Sequence, residues 1–447
     1  MDRPGRLQGS LAWVMWGIPA LIFLFAFFHR VAPGVMAKEL MGTFHITGAL
    51  LGLLSAVYFY LYAGLLIPAG LLLDAYGPRR VVAVGGTLMG VGTLLMGWAG
   101  GTGVLFVGRF LVGLGASVTF VGALKVAANW FPPRQFGTLA AVTAAMGVLG
   151  GLVATVPLAL LASAVGWRGA FLVVGGVTVL ASLLCWWVVR DHPEELGIAV
   201  VWAGARPGPA LSPSLGQVLA GAGVVLKNSY TWPPFLAFFC LYSGAGNLML
   251  WVVPFLRDVY GLATSGAAAY ATATSLALLF SAPLTGYLSD RVFERRRPLY
   301  LGLCLGSVVL WGVFLLTLGR LPLWGLYTLF FIMGMSGSAF VLTWPIGREV
   351  NPPHLAGVSV AVVNFGGFLG AALTQRPVGA ILDARWAGAL EGGARVYPLE
   401  AYTAAFGVCG AFIVAGALMA LLVRETRCQN IYAALHPARK GAELHGR

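Results

Sequence analysis

Charged residues are scarce in this chain. Aspartate, glutamate, lysine and arginine make up 10% of its 447 residues, whereas 59% are hydrophobic. Soluble domains average roughly a quarter charged and about half apolar residues. A soluble fold of this composition would expose large apolar patches and aggregate, and a disordered chain would be far more polar. The solvent for most of the chain is therefore predicted to be the lipid bilayer.

Motifs for catalysis, metal binding and nucleotide binding are also missing. The sequence contains no CxxC pair, no HExxH, no nucleophile elbow and no GxxxxGK[ST] phosphate loop. Its five cysteines are isolated and are predicted to be packing residues: Cys185, Cys240, Cys304, Cys409 and Cys428. The glycine clusters Gly113–Gly115 and Gly147–Gly151 lie in apolar runs, where glycine favours close helix packing. These absences predict a protein that is not an enzyme, needs no cofactor or metal, and is not driven by ATP.

Twelve apolar runs have membrane-spanning length, since a helix needs about 20 apolar residues to cross the bilayer. They lie at 11–37, 48–73, 81–100, 104–129, 137–164, 169–189, 233–256, 266–288, 298–318, 323–347, 356–382 and 401–423. Their length favours helices over barrel strands. We therefore expect an all-α membrane protein with twelve transmembrane helices. It would have an N-terminal six-helix bundle (1–189), a linker (190–232) with a short helix near Leu215–Lys227, and a C-terminal six-helix bundle with a tail (233–447).

One polar stretch between two apolar runs occurs twice. Gly70–Arg80 (GLLLDAYGPRR) follows the second run, and Gly286–Pro298 (GYLSDRVFERRRP) follows the eighth, with Asp290 in the place of Asp74. A repeat at about half the chain length indicates two copies of one multi-helix unit.

Basic residues are unevenly distributed over the loops. Eighteen lysines and arginines lie in the N-terminus, the even-to-odd loops, the linker and the tail, and six lie in the opposite loops. Because positive loops stay in the cytoplasm, both termini and the linker are predicted to be cytoplasmic in a multi-pass inner-membrane protein. The first apolar run lacks a cleavage site and is predicted to be retained. Topology thus explains the net charge of +13 better than nucleic-acid binding does.

Several motifs resemble the major facilitator superfamily. Besides the six-plus-six spans and the GxxxDxxGxRR loop, the matching stretches are RFLVGLG (Arg109–Gly115), WFPPRQFG (Trp130–Gly137) and GWRGAF (Gly166–Phe171). Ala75 and Pro78 depart from the family's loop pattern at positions that are often basic. The stretches Phe27–Val35 and Trp344–Gly370 are loosely similar to bacterial organic-anion, sugar-phosphate and nitrate permeases.

The resemblance implies the major facilitator fold, in which two six-helix bundles give alternating access to a site near the mid-plane. It also implies a gating motif, here Gly70, Asp74, Gly77, Arg79, Arg80, Asp290 and Arg291. Asp74 would cap span 11 near Gly357–Ser359 in one state of the cycle. Asp290 would mirror this at span 5 near Gly137, since an acid at a positive helix end stabilises by roughly 0.3–1 kcal/mol. The alternative is that each acid caps its own loop and the arginines only set the topology.

Basic residues inside the predicted spans have no matching acids there. Arg30, Arg109, Lys125 and Arg376 lie inside, whereas all fifteen acidic residues lie in loops, tails or span ends. A charge inside a span costs about 2.5–3.5 kcal/mol on insertion scales. A wet, positive cavity that binds a small anionic solute would explain this imbalance.

Arg30 is the first candidate for substrate contact, because its guanidinium offers a rigid donor fork to a carboxylate or phosphate. The predicted substrate-binding set is Arg30, Lys125, Asn247, Asn364 and Tyr60. Arg30 could instead bond a neighbouring helix or extend outward, and Lys125 could reach the membrane surface.

The other buried basic groups are expected to serve structure or coupling. His29 points about 100° away from Arg30 on the helix and is predicted to be packed, with a proton carrier as the alternative. Arg109 is predicted to have a structural or coupling role, and Arg376 to lie near the outer rim.

The sequence therefore predicts a monomeric secondary transporter of a small anionic solute, driven by proton symport or anion exchange. Two alternatives stay open. Efflux of drugs or amphipathic compounds by proton antiport usually relies on a membrane-embedded acid. A non-transporting receptor or scaffold with the same fold would bind a ligand without flux.

Overall fold

The computed structural model describes residues 3–132, 135–198 and 215–436, and these residues are almost entirely helical. Among them, eleven helices are long and apolar enough to cross a membrane. The number becomes twelve when the bent pair Ala37–Phe44 and Gly48–Gly64 forms one span. The predicted all-α membrane architecture is confirmed.

The described part of the first half consists of helices that break where glycine, proline or polar residues interrupt the apolar runs. They are α1 (Arg3–Val35), α2 (Ala37–Phe44), α3 (Gly48–Gly64), α4 (Leu66–Tyr76), α5 (Pro78–Trp98), α6 (Thr102–Ala116), α7 (Thr119–Trp130), α8 (Phe136–Val153) and α9 (Val156–Val188). The predicted fifth span covers α8 and the start of α9. Gly166, with a φ of 74°, bends α9 where that span ends and the sixth begins.

The second half begins after a short 3-10 turn at Pro193–Leu196. Its elements are α10 (Leu215–Lys227), α11 (Trp232–Tyr260), α12 (Thr264–Tyr287), α13 (Arg297–Leu316), α14 (Leu323–Gly337), α15 (Thr343–Glu349), α16 (Ala356–Ala384), a hairpin of β1 (Leu390–Glu391) and β2 (Ala394–Arg395), α17 (Leu399–Leu421) and α18 (Tyr432–Leu435). Helix α10 agrees with the short helix predicted in the linker. Linker residues 199–214 lie outside the described residues.

Glycines bring the backbones of neighbouring helices into direct contact. A Cβ added to Gly115 in α6 would lie 2.1 Å from the carbonyl oxygen of Gly85 in α5. A Cβ added to Gly150 in α8 would lie 2.0 Å from the carbonyl oxygen of Leu24 in α1. No side chain fits at such distances, so these glycines serve helix packing, as predicted from the sequence.

Large apolar side chains cover the outside of the helices. Trp187, Leu316 and Trp324 are 72%, 78% and 77% exposed. Exposed apolar surface of this kind is expected where helices face lipid.

The chain divides into two compact units, and the division falls inside α3. The first unit holds the described residues up to Ile46 and those from Val57 to the linker. The second holds Thr47–Ala56 together with the described residues that follow the linker. The predicted domain boundaries at 189 and 233 stay predictions.

Candidate functional site

Arg30 lies in the interior of the first unit and is enclosed by aromatic rings. The residue is 6% exposed, and its guanidinium carbon lies 4.0 Å from the ring centroid of Phe27 in α1. The corresponding distances to Tyr58 and Tyr62 of α3 are 5.4 and 5.2 Å. Phe59, at 5.7 Å, completes these four rings, which we call the Arg30 cage. Each such contact stabilises a cation by about 0.5–1 kcal/mol, and about 2 when desolvated. The guanidinium is therefore held inside the unit and does not extend outward.

The tyrosines of α3 differ in their surroundings. Tyr58 and Tyr62 are buried, and their rings stack with centroids 5.9 Å apart, because residues four apart share a helix face. Tyr60 is 42% exposed and is not one of the rings around Arg30. Its predicted substrate contact stays a prediction, and the tyrosines that the structure brings to Arg30 are Tyr58 and Tyr62.

Arg109 is buried beside the same cage. Its Nη1 donates a hydrogen bond of 2.6 Å to the backbone carbonyl of His29, and its guanidinium carbon lies 5.0 Å from the Tyr58 ring centroid. The Tyr58 hydroxyl donates to the carbonyl oxygen of Ala26 at 3.0 Å. Arg109 thereby links α1, α3 and α6, and its predicted structural or coupling role stays a prediction.

His29 packs among threonine hydroxyls and is 3% exposed. Both ring nitrogens lie 3.4 Å from Thr93 Oγ1, and Nε2 lies 3.5 Å from Thr178 Oγ1. These threonines belong to α5 and α9 and are themselves buried. The setting supports the interpretation of His29 as a packed histidine.

Lys125 contacts the loop motif at the end of α4. Its Nζ donates to the Leu73 carbonyl at 2.8 Å and forms an ion pair with the Asp74 carboxylate. Their side chains are 28% and 36% exposed, so the pair is partly screened by solvent. Lys125, predicted to bind substrate, is therefore paired with Asp74, which was predicted to belong to the gating motif.

Asp191 caps the helix that follows the first loop motif, a role that sequence reasoning missed. Its Oδ1 accepts the backbone N–H of Arg79 at 2.6 Å, near the start of α5. Gly77 has a φ of 80°, and a Cβ there would lie 2.2 Å from Asp191 Oδ2. Arg79 also donates from Nε to the Trp186 carbonyl at 2.9 Å. A glycine at 77 therefore leaves the room that the Asp191 carboxylate occupies.

A cavity of about 430 Å³ opens beside these residues. Its wall is mixed in charge and includes Asp74, Arg79, Arg80, Lys125, Asp191 and Glu195. Because three basic and three acidic side chains line it, the cavity lacks the single sign of charge that would favour an anion.

Arg296 of the second loop motif forms ion pairs with a buried glutamate on α15 and with an exposed aspartate of the same motif. Arg296 pairs with Glu349 at 2.9 Å and with Asp290. Burial acts to lower the pKa of Arg296, but its hydrogen bonds to Glu349 and Asp290 outweigh this and raise the pKa above the usual value. Glu425 accepts the backbone N–H groups of Arg296 and Arg297 at 3.0 and 3.2 Å, at the start of α13.

The partner of Asp290 is therefore Arg296, whereas Arg291, predicted in the gating motif, is exposed. A sequence signal for the capping acids existed. Val189-Arg190-Asp191 follows the sixth span, and Val423-Arg424-Glu425 follows the twelfth. This second repeat places one acid at the start of α5 and one at the start of α13.

Two residues of the second half that were predicted to contact substrate are Asn247, on α11, and Asn364, on α16. Asn247 is buried and donates from Nδ2 to Thr374 Oγ1 at 2.9 Å. Its Oδ1 has no hydrogen-bond partner among the described residues. Asn364 is half-buried, and Arg376 is exposed.

The apolar spans repeat in two halves, each with a polar loop motif after its second span, and together they describe a multi-pass membrane protein built from two related halves. The described residues contain no group of three His, Cys, Asp or Glu side chains that could hold a metal ion.

The sequence profile of the Major Facilitator Superfamily matches residues 20–375. The chain belongs to this superfamily, and the resemblance predicted from its motifs is confirmed.

Relatives and solved structures agree with this assignment. The chain is 27% identical over 303 residues to the probable sulfoacetate transporter SauU of Cupriavidus necator, covering 66% of this chain and 69% of that protein. It is 22% identical over 410 residues to the probable galactarate/D-glucarate transporter GudP of Bacillus subtilis, covering 84% and 87%. The fold is similar to the crystal structure of a bacterial homologue of the human lysosomal transporter Spinster. The TM-score is 0.76 at 18% identity, covering 91% of this chain and 96% of that one.

Proposed function

We propose that the protein transports a small organic anion and that Arg30 binds its anionic group. The observation that carries the proposal is a guanidinium 6% exposed inside the first unit, among four aromatic rings. A buried guanidinium forms strong, bidentate hydrogen bonds to carboxylate, sulfonate or phosphate groups. The aromatic rings hold it in place and reduce the entropy lost on binding.

The named solutes of the relatives support the same class of substrate. Sulfoacetate, galactarate and D-glucarate, which appear in the names of SauU and GudP, are all small organic anions. Fifteen acidic residues in loops, tails or span ends leave the interior of the spans with basic groups only. This distribution disfavours the efflux of cationic drugs, which an embedded acid would attract.

Transport proceeds by alternating access in the inner membrane, with the termini and the linker in the cytoplasm. It is driven by proton symport or by exchange against another anion. Since His29 is packed against Thr93 and Thr178, exchange, or a proton carried by the substrate itself, fits the first unit better than a histidine carrier.

The remaining residues of the predicted site divide into two groups. The unpartnered Oδ1 of Asn247 can accept a hydrogen bond from a substrate hydroxyl, and Asn364 is a second candidate on α16. Lys125, paired with Asp74, is assigned to the gating motif and not to substrate contact.

Uptake into proteoliposomes tests the proposal. Radiolabelled sulfoacetate and D-glucarate should enter vesicles that contain the wild-type protein, and a cationic solute of similar size should not. Arg30→Ala should reduce uptake at least about a hundredfold, since a charge-assisted bidentate contact contributes roughly 3 kcal/mol. Arg376→Ala removes an exposed span arginine and is the matched control, with uptake near wild type.

Two results would contradict the proposal. Uptake by Arg30→Ala equal to that of the control would remove Arg30 from the site. Binding of the anions without any flux would instead favour the receptor alternative.

A further inference from the structure

The carboxylate of Asp383, at the end of α16, binds the first turn of α3. Asp383 Oδ1 accepts hydrogen bonds from Gly48 N at 2.8 Å and from the Tyr397 hydroxyl at 2.7 Å. It also pairs with Arg395 Nη1 at 2.9 Å. Asp383 Oδ2 accepts the N–H of Ala49 at 2.7 Å. We call these five residues the Asp383 cluster.

Two of these bonds end at backbone groups that α3 cannot satisfy itself. The first N–H groups of a helix have no partner within the helix, and the positive end of the helix dipole stabilises a carboxylate there. Burial and then the hydrogen bond to Asp383 raise the pKa of Tyr397. Its hydroxyl therefore stays protonated and remains a donor.

The same end of α3 touches α16 backbone to backbone. A Cβ added to Gly379 would lie 2.1 Å from the Gly48 carbonyl oxygen, and one added to Gly52 would lie 2.2 Å from the Gln375 carbonyl oxygen. Gly48 and Gly52 are four residues apart, as are Gln375 and Gly379, so each pair lies on one helix face. Helices α3 and α16 are thus closely packed at this end, with glycines at the contact.

Helix α3 also carries three of the four rings of the Arg30 cage, those of Tyr58, Phe59 and Tyr62. Thr47–Ala56 clusters with the second unit, whereas the residues from Val57 onward cluster with the first. Tyr58 follows Gly48 by ten residues, about 15 Å along the helix. A displacement of the first turn of α3 would therefore move the tyrosines that contact Arg30.

We propose that Asp383 is a positioning residue of the transport cycle, which holds α3 against α16 in one state and releases it in the other. The proposal rests on the proposed function, because alternating access requires the two helical halves of the chain to move relative to each other. When the Asp383 cluster is closed, α3 fixes Tyr58 and Tyr62 beside Arg30. Release of Gly48 and Ala49 frees the same helix to reorient the Arg30 cage.

Asp258 provides a matched control. Its Oδ2 accepts the Tyr402 hydroxyl at 2.8 Å and the Tyr397 N–H at 3.1 Å. It thus resembles Asp383 in using a tyrosine hydroxyl and a backbone N–H, but both of its partners here lie at or near the start of α17.

Hydrogen–deuterium exchange of the full chain in lipid nanodiscs tests the contact. Asp383→Asn should speed exchange of the peptide covering residues 47–56 about tenfold, because hydrogen bonds to a charged acceptor are lost. Asp258→Asn, which touches the cluster only through the backbone N–H of Tyr397, should speed exchange near Tyr402 and change that peptide much less than Asp383→Asn does. Unchanged exchange of residues 47–56 in Asp383→Asn, or an equal change in both variants, would overturn the proposal.

Gly379→Ala provides a second variant should Asp383→Asn not fold. It keeps every charge but places a Cβ against Gly48, so the same peptide should exchange faster, and unchanged exchange would count against the proposal. The exchange measurements use no solute, so they give the same answer whether or not the protein carries an anion.

A covalent lock tests the release step. With the five native cysteines replaced by serine, Ala49→Cys and Asp383→Cys are joined by oxidation. Measured against the reduced double-cysteine variant, which already lacks the Asp383 carboxylate, uptake of sulfoacetate should fall at least tenfold on oxidation and return to the level of that reduced variant after treatment with dithiothreitol. Undiminished uptake by the cross-linked protein would overturn the requirement for release.

Discussion

Glu349→Gln is predicted to destabilise the second unit by about 3 kcal/mol. Arg296 and Glu349 have side chains only 6% and 3% exposed, and their charged atoms lie 2.9 Å apart. Removing one partner of a buried ion pair costs about 3–5 kcal/mol, since the other charge stays buried without compensation. Asp290, 55% exposed, still pairs with Arg296, which places the expected loss at the lower end of this range.

Thermal unfolding of the purified protein measures the effect. For units of 150–250 residues, about 1 kcal/mol shifts the Tm by roughly 2–4 °C, so Glu349→Gln should lower the Tm by about 6–12 °C. Asp290→Asn is the control, because a half-exposed partner contributes about 1 kcal/mol or less. Equal Tm shifts for the two variants, or a shift below about 2 °C for Glu349→Gln, would refute this reasoning.

Two further predictions concern the first unit. Asp191→Ala removes the acceptor of the Arg79 N–H at the start of α5 and should cost about 1 kcal/mol in thermal unfolding, whereas Asp191→Asn, which keeps an acceptor oxygen, should cost less. Gly115→Leu places a Cβ 2.1 Å from the Gly85 carbonyl oxygen and should abolish the monodisperse peak in size-exclusion chromatography. Gly176→Leu, where nothing lies within 4 Å, should leave that peak intact, and an equal loss for both would contradict the packing argument.

The membrane spans could be predicted because each is a local property of the sequence. A run of about 20 apolar residues has few other uses, and a repeated loop motif marks the two halves. The predicted boundary between the fifth and sixth spans, at 164–169, coincides with the bend at Gly166 inside α9. Glycine interrupts the apolar run in the sequence and bends the helix in the structure.

The polar clusters could not be predicted in the same way, because they join residues far apart in the chain. Lys125 and Asp74 are 51 residues apart, and Gly48 and Asp383 are 335 apart. Hydropathy reports how apolar a segment is, but not which loop acid meets which helix end. The acids at Asp191 and Glu425 were the exception, since their repeat after the sixth and twelfth spans was visible in the sequence.

Burial of Arg30 changes the physical picture of the predicted site. A basic residue inside a span could have extended outward to the surface, but the rings of Phe27, Tyr58 and Tyr62 enclose it. The position of Tyr60 could not be inferred, because residues two apart on a helix point about 200° apart and hydropathy does not say which of Tyr58, Tyr60 and Tyr62 faces inward.

Ligand-induced stabilisation tests the central claim, that Arg30 binds an organic anion, most directly. Binding to the folded state raises its stability, by about 2.7 kcal/mol when the ligand is at a hundred times its Kd. We predict that sulfoacetate or D-glucarate raises the Tm of the wild-type protein and of Arg376→Ala by several degrees, and leaves the Tm of Arg30→Ala unchanged. The same rise in Arg30→Ala, or stabilisation of the wild type by cations and not by these anions, would contradict the account.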